Sequence, residues 1–223
     1  MTRPKQFELA LMPWHALQRG LRALRRRWFL HRLTDAYFSF MVDPPPADQW
    51  VALDCETTGL DVRNDRIISI GAVRIVGNRL LTSQRLELLV RPERPLNIDS
   101  MRVHLLREHD VAQGIDPVQA MRLLLEFIGS RPLVGYYLEF DVALINREIR
   151  PLLGVGLPQE MIEVSALYYN FKNRQLPLDV RGGNIDLRLA TLMTDLALPQ
   201  RNAHDALNDA VMAGLAFLKL REY

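Results

Sequence analysis

VALDCETTGLD, residues 51–61, begins as an apolar run and ends in acids. Three aliphatic residues lead into Asp54 and Glu56, and a Thr-Thr-Gly turn follows. In extended backbone, residues two apart point to the same side. A strand ending here therefore aims both carboxylates at one place. Like charges that close repel unless a cation neutralises them or one takes up a proton. Hard oxygen donors of this kind suit Mg²⁺ or Mn²⁺. The pair alone also fits a solvated strand end that happens to carry acids.

The surrounding pattern places this strand in an α/β domain. Trp50–Cys55 reads as a buried strand, and residues 66–76 and 85–90 read as the next two. Gly77-Asn78 is a tight hairpin signal. Residues 116–130 form a helical pattern in which Val118, Met121, Leu125 and Ile128 share a face. A fourth strand is predicted over 132–137, a helix over 139–153 and a fifth strand over 160–165. A short helix is predicted over 166–171 and a Pro/Gly-punctuated loop over 172–184. Helices over 185–198 and 204–220 close the chain. Three strands followed by helices alternating with two more predict a mixed sheet with helices on its faces. Ligands of open α/β sheets sit outside strand C-termini, where Asp54 and Glu56 fall.

Two later stretches bear on the pair. VGYYLEFD puts Asp141 at the start of a helix just past the fourth strand. AHDALNDAVMAG supplies His204 and, five residues on, Asp209 in the last helix. Positions five apart diverge on an unbroken helix, so His204 is better placed on the preceding loop or cap. By itself it also fits a cap or surface histidine.

Asp54-x-Glu56 before Thr-Thr-Gly-Leu, then Phe140-Asp141, then His204-x4-Asp209, resembles the DEDDh (DnaQ-like) 3′–5′ exonuclease superfamily. The proofreading epsilon subunit of bacterial DNA polymerase III, RNase T and oligoribonuclease are members. The resemblance runs from about Trp50 to Leu220. It implies a ribonuclease H-like fold with a mixed five-stranded sheet flanked by helices. It implies that Asp54, Glu56, Asp141 and Asp209 bind two divalent ions, Mg²⁺ or Mn²⁺, which clamp the attacking and leaving oxygens of an in-line displacement. His204 would be the general base. The backbone around Glu56, Thr57 and Thr58 would hold the terminal nucleotide, and Leu60 would pack on its base. Tyr136 and Tyr137, standing where many relatives carry His-Asn, would lie near the substrate strand with Phe140. Glu163 stands where relatives carry an aspartate that is usually structural. The implied activity is removal of nucleoside 5′-monophosphates from a single-stranded 3′ end, DNA before RNA, in replication proofreading or repair. RNA trimming and a decayed nucleic-acid-binding module are the alternatives. A DNA polymerase is an implied partner, and residues 174–180 resemble short motifs that bind sliding clamps.

Composition agrees with a globular domain: 48% hydrophobic and 24% charged residues, with one cysteine, Cys55. One cysteine excludes an internal disulfide and a cysteine-based metal site. No apolar run reaches membrane-spanning length, and the N-terminus makes a poor signal peptide, so a cytoplasmic location is expected. Residues 1–34 carry a balance of +7 and the rest −5, within a net charge of +2. Asp43–Asp48, with three consecutive prolines, suggests a boundary between an N-terminal helical extension, residues 1–47, and a domain over 48–223. Leu17, Leu21, Leu24 and Trp28 recur at helical spacing in the extension, and Phe29, Leu33, Tyr37, Phe38 and Met41 form a second apolar group. Three readings of the extension stand open. It packs on the domain as a helical hairpin, binds nucleic acid through Arg25, Arg26 and Arg27, or meets a membrane surface.

Overall fold

The computed structural model describes residues 14–92, 113–202 and 205–223. Its centre is β1, Gln49–Thr57, in which Val51, Ala52 and Leu53 are fully buried. A strand apolar on both sides needs cover on both sides, and β1 has it. Val51, Leu53 and Cys55 face one core with α2 (Pro117–Ile128) and α3 (Leu138–Leu153). Ala52 faces a second core built from α4 (Val164–Gln175), α5 (Leu189–Asp195) and α6 (Ala206–Leu220).

The sheet is mixed and five-stranded, in the order β3-β2-β1-β4-β5. β1 pairs antiparallel with β2, Ile67–Val76, from Gln49↔Val76 to Thr57↔Ile67. β2 continues into β3, Arg79–Leu89, through the two-residue turn Gly77-Asn78, with Gly77 at φ +57°. On its other edge β1 runs parallel to β4, Leu133–Gly135, which in turn runs parallel to β5, Met161–Glu163. Of β1, β4 pairs with Val51 and Ala52 alone. The C-terminal half of β1 therefore projects past it, leaving room for the turn into α3.

Several boundaries differ from the sequence expectation, each for a local reason. β3 starts at Arg79 rather than 85, because an edge strand with exposed polar residues shows no apolar run. β4 ends at Gly135, where Tyr137 turns the chain into α3 at a left-handed φ of +53°. β5 ends at Glu163, whose carboxylate caps α4 by accepting the Ser165 N–H at 2.9 Å. The helix that follows is a full twelve residues rather than a short one. α5 is shorter than expected because Asp186 draws the N–H and guanidinium of Arg188 and the hydroxyl of Thr191 to itself, the competition that keeps such residues out of helix interiors. On α2 the buried face is Ala120, Met121, Leu124, Leu125 and Ile128, while Val118, in the first turn, is 40% exposed.

The N-terminal segment is a helix, α1, Trp14–Arg32, then a 3-10 helix, Ala36–Val42. Phe29, Phe38 and Met41 are buried in the same core as α2 and α3. Thr34 ties the segment to the end of α3, its N–H donating to Leu153 O at 3.0 Å and its hydroxyl to Leu152 O at 2.7 Å. Leu21, Leu24 and Trp28 instead point outward, 51%, 65% and 57% exposed. The apolar spacing marked a helix correctly, but that stripe does not pack on the domain. The side chain of Leu17 lies outside the described residues. No helix among the described residues is long and apolar enough to cross a membrane.

One close approach sets the position of α6. Gly71 of β2 is the register partner of Asp54, and a Cβ there would lie 2.2 Å from the backbone of Ala206 and Leu207. The first turn of α6 thus rests directly on the sheet beside Asp54. Gly71→Ala is expected to destabilise the protein by about 1–3 kcal/mol, read from the urea midpoint. Gly20→Ala, on α1 with nothing within 4 Å, should be neutral or slightly stabilising.

Candidate active site

Alternation along β1 puts Asp54 and Glu56 on the Ala52 face, which α6 covers. The starting turn of α6 brings Asp209 to them. Asp205 caps that helix, its carboxylate accepting the Asn208 N–H at 2.9 Å, and its carbonyl accepts the Asp209 N–H at 2.9 Å. One ligating oxygen from each of Asp54, Glu56 and Asp209 falls within 4.8 Å of the others. Glu56 is buried, and Asp54 and Asp209 are half-buried.

Asp141 reaches the same region from the opposite side. N–H groups of alternate strand residues point to the same edge. Val51 donates on the β4 side, to Pro132 O at 3.0 Å, so Cys55 donates there too. β4 has ended by then, and the carboxylate of Asp141 accepts the Cys55 N–H at 3.1 Å. Asp141 is buried and lies in the first turn of α3. It borders the three-carboxylate cluster without being one of the mutually close oxygens. Both Asp141 and Asp209 stand at helix N-termini, where the backbone dipole favours negative charge.

The electrostatics match this crowding. Burial first, and then the charges of Asp141, Asp209, Glu56 and Asp205, hold the Asp54 carboxyl well above the usual carboxylate range. Burial also pushes Asp141 up to about 7, against the opposing pull of the Cys55 N–H and its own. Burial, and after it the charges of Asp141, Asp54 and Glu56, push the Cys55 thiol up. An all-oxygen, convergent and anionic donor set fits a divalent cation such as Mg²⁺ or Mn²⁺.

The loop after β1 is braced from within. The Thr57 hydroxyl donates to Gly59 O at 2.7 Å. Asp65 accepts the Thr58 hydroxyl at 2.8 Å and the Asp61 N–H at 2.7 Å. Arg147 of α3 donates to Val62 O and to Asp65 O, and pairs with Glu148. Leu60 stands at the tip of this loop, 88% exposed. On the facing side, the Tyr136 hydroxyl is engaged with Leu187 O at 2.9 Å, while Tyr137 is exposed and Phe140 half-buried against the core. Glu163 accepts the N–H groups of Tyr137 and Leu138 at 3.0 and 2.9 Å as well as that of Ser165. One carboxylate thus caps both α3 and α4. His204 lies outside the described residues.

Asp65, Arg147 and Asp205 escaped the sequence reading. The position of Asp205 just before an apolar helical pattern is a cap signal that could have found it. Asp65 and Arg147 act through carbonyls and a hydroxyl in a loop, and no spacing rule marks them.

An exonuclease family model, RNase T, matches residues 51–217. The chain belongs to this exonuclease family. Among relatives of this chain, a "DNA polymerase III subunit epsilon-like protein" of Rhodobacter capsulatus is 29% identical over 175 residues, 77% of this chain and 23% of the relative. The DNA polymerase III subunit epsilon of Rickettsia felis is 27% identical over 180 residues, 76% of this chain and 72% of the relative. Among solved structures, E. coli exonuclease I in complex with a dT13 oligonucleotide superimposes with a TM-score of 0.65 at 15% identity, over 78% of this chain and 41% of that one. That likeness is one of fold, a ribonuclease H-like mixed five-stranded sheet flanked by helices. The chain thus spans about a quarter of the Rhodobacter protein and two fifths of exonuclease I.

Rising pH must charge carboxyls that burial and one another disfavour. Asp141 titrates near ~3.9 in an unfolded chain and at about 7 in the folded one. The folded form therefore holds its proton more tightly. That stabilisation is full below ~4 and is lost as pH rises through about 7. In chelator, the melting temperature should fall between about pH 5 and pH 8. Mn²⁺ should restore it strongly at the upper end and weakly at the lower. A chelated protein with a flat profile across that window would contradict this electrostatic picture.

Proposed function

We propose that this chain is a metal-dependent 3′–5′ exonuclease that hydrolyses the terminal phosphodiester of DNA and releases nucleoside 5′-monophosphates. The observation that carries the reading is the convergence of Asp54, Glu56 and Asp209, with ligating oxygens within 4.8 Å of one another, at the C-terminal end of a buried strand. Asp54, Glu56 and Asp209, joined by Asp141, would hold two divalent ions. Bound there, the ions would activate water and stabilise charge on the attacking and leaving oxygens.

The remaining roles fall to the chain's own groups. His204 would take the proton from the attacking water, since an imidazole titrating near ~6.5 suits that task around neutral pH. The backbone of Thr57 and Thr58 would seat the terminal nucleotide, and exposed Leu60 would cover its base. Tyr137 and Phe140 would flank the strand. Of the Tyr pair, Tyr137 is the better placed to touch substrate, because the Tyr136 hydroxyl is already spent on Leu187 O. The polymerase III names of the relatives favour DNA over RNA, work in DNA replication, and association with a DNA polymerase; repair in the cytoplasm is the other setting of the same proposal. Contact with a sliding clamp would fall to residues 174–180, where Leu178 is 80% exposed.

The test is release of 3′-end label from single-stranded DNA, duplex DNA and RNA, with Mg²⁺ or Mn²⁺ and with chelator. Asp54→Ala and Asp209→Ala should each lower the rate by at least about 10³-fold, and His204→Ala by about 10²–10⁴-fold. Equal trace release by wild type and Asp54→Ala would reject the proposal. Faster release from RNA than from DNA would move the substrate to RNA.

A further inference from the structure

A groove of about 740 Å³ runs along α3, beside the braced loop after β1. Its apolar floor includes Val62, Val142 and Pro151, and Arg63 and Arg150 line it. Arg147 lines it too, but its guanidinium is committed to loop carbonyls and Glu148. Arg63 and Arg150 are exposed, and among the described residues neither is in an ion pair. Glu139, two residues before Asp141, is the acid on the lining and marks its active-site end.

The far end of the groove meets α1. Arg150 and Pro151 sit in the last turn of α3, where Thr34 is bonded to the carbonyls of Leu152 and Leu153. Gly154 approaches Arg32 so closely that a Cβ would lie 2.6 Å from the Arg32 carbonyl oxygen. From Asp141 to Leu153 is about 18 Å along the helix. At that end Trp28 is 57% exposed, with the Arg32 guanidinium 5.1 Å from its ring centroid. Arg25, also exposed, stands three residues before Trp28, a spacing that puts neighbours on one helix face. α1 contains no Asp or Glu, and Arg26, which faces elsewhere, is paired with Asp43.

We infer that these features form one track: a single-stranded nucleic acid leaving the carboxylate cluster runs along the α3 groove, its phosphates met by Arg63 and Arg150, and reaches α1, where Arg25, Arg32 and Trp28 hold its upstream part. Cations spaced along a groove supply sequence-independent phosphate affinity, and an exposed aromatic ring supplies a stacking platform. The track gives the basic segment a role that the catalytic cluster, at the other end of α3, does not require. The inference rests on the exonuclease reading for the direction of the strand, but its test does not use cleavage.

Binding of a 5′-labelled single-stranded oligonucleotide of about fifteen nucleotides, within the usual footprint of such grooves, is followed by fluorescence anisotropy in chelator. Arg63→Ala with Arg150→Ala, and separately Arg25→Ala with Arg32→Ala, should each raise Kd about tenfold. Each pair should also flatten the slope of log K against log salt by about 1.4, the value for two lost phosphate contacts on a single strand. Trp28→Ala should weaken binding of the long oligonucleotide and leave a three-nucleotide one unchanged. Arg85→Ala on β3, at the opposite edge of the sheet, should change nothing. Unchanged Kd in both pairs overturns the track, as does an Arg85→Ala loss equal to theirs. If the α1 pair loses binding to anionic phosphatidylglycerol vesicles but keeps full DNA affinity, the α1 end belongs to a membrane surface and the track is rejected. Failure of metal-loaded cleavage with these binding results intact would count against the nuclease reading alone.

Discussion

The contact of α6 with Gly71 is the constraint from which the site follows. A helix can lie on a strand this closely only where no Cβ intervenes, and Gly71 is paired in register with Asp54. The contact therefore fixes the start of α6, and with it Asp209, against the two carboxylates of β1. Burial and mutual repulsion then raise the proton affinity of Asp54. Packing of the sheet against α6 holds together charges that would separate if free. Such an arrangement is costly without a cation and favourable with one, which is the property a metal-dependent hydrolase needs.

Asp141 is placed by a second, independent device. Three-residue β4 stops early enough that the edge of β1 is open at Cys55. Glu163 gathers the backbone N–H groups of Tyr137 and Leu138 and so sets the first turn of α3. Asp141 then accepts the ladder N–H that β4 leaves unused. The short parallel strand, the capping carboxylate and the left-handed Tyr137 act together to bring one more acid to the cluster from the far side. Glu163 performs here the structural work expected of an acid at the end of the fifth strand.

Much of this was legible in the sequence, because the signals were periodic. The apolar run into Asp54-x-Glu56 marked a buried strand and, by two-residue alternation, a shared carboxylate face. Gly77-Asn78 marked the hairpin, and the helical spacing in α2, α3 and α6 marked their extents within a few residues. What escaped was set by contacts distant in the chain. Edge strand β3 is polar along half its length, so its first half gave no pattern. The bracing of the β1 loop by Arg147 pairs residues more than eighty apart. The outward stripe of Leu21, Leu24 and Trp28 has the spacing of a core face, and periodicity alone cannot say which face of a helix the body covers. Phe29, one residue past Trp28, is the side chain that enters the core.

The proposed function depends first on the carboxylate cluster holding divalent cations. The most direct measurement is calorimetric titration of Mn²⁺ into the metal-free protein near pH 7.5, with Asp54→Asn and Asp209→Asn beside the wild type. The wild type should bind two Mn²⁺ ions, and each variant should lose at least one of them with the fold preserved. Wild-type protein that takes up no Mn²⁺, or variants that bind it as the wild type does, would contradict this.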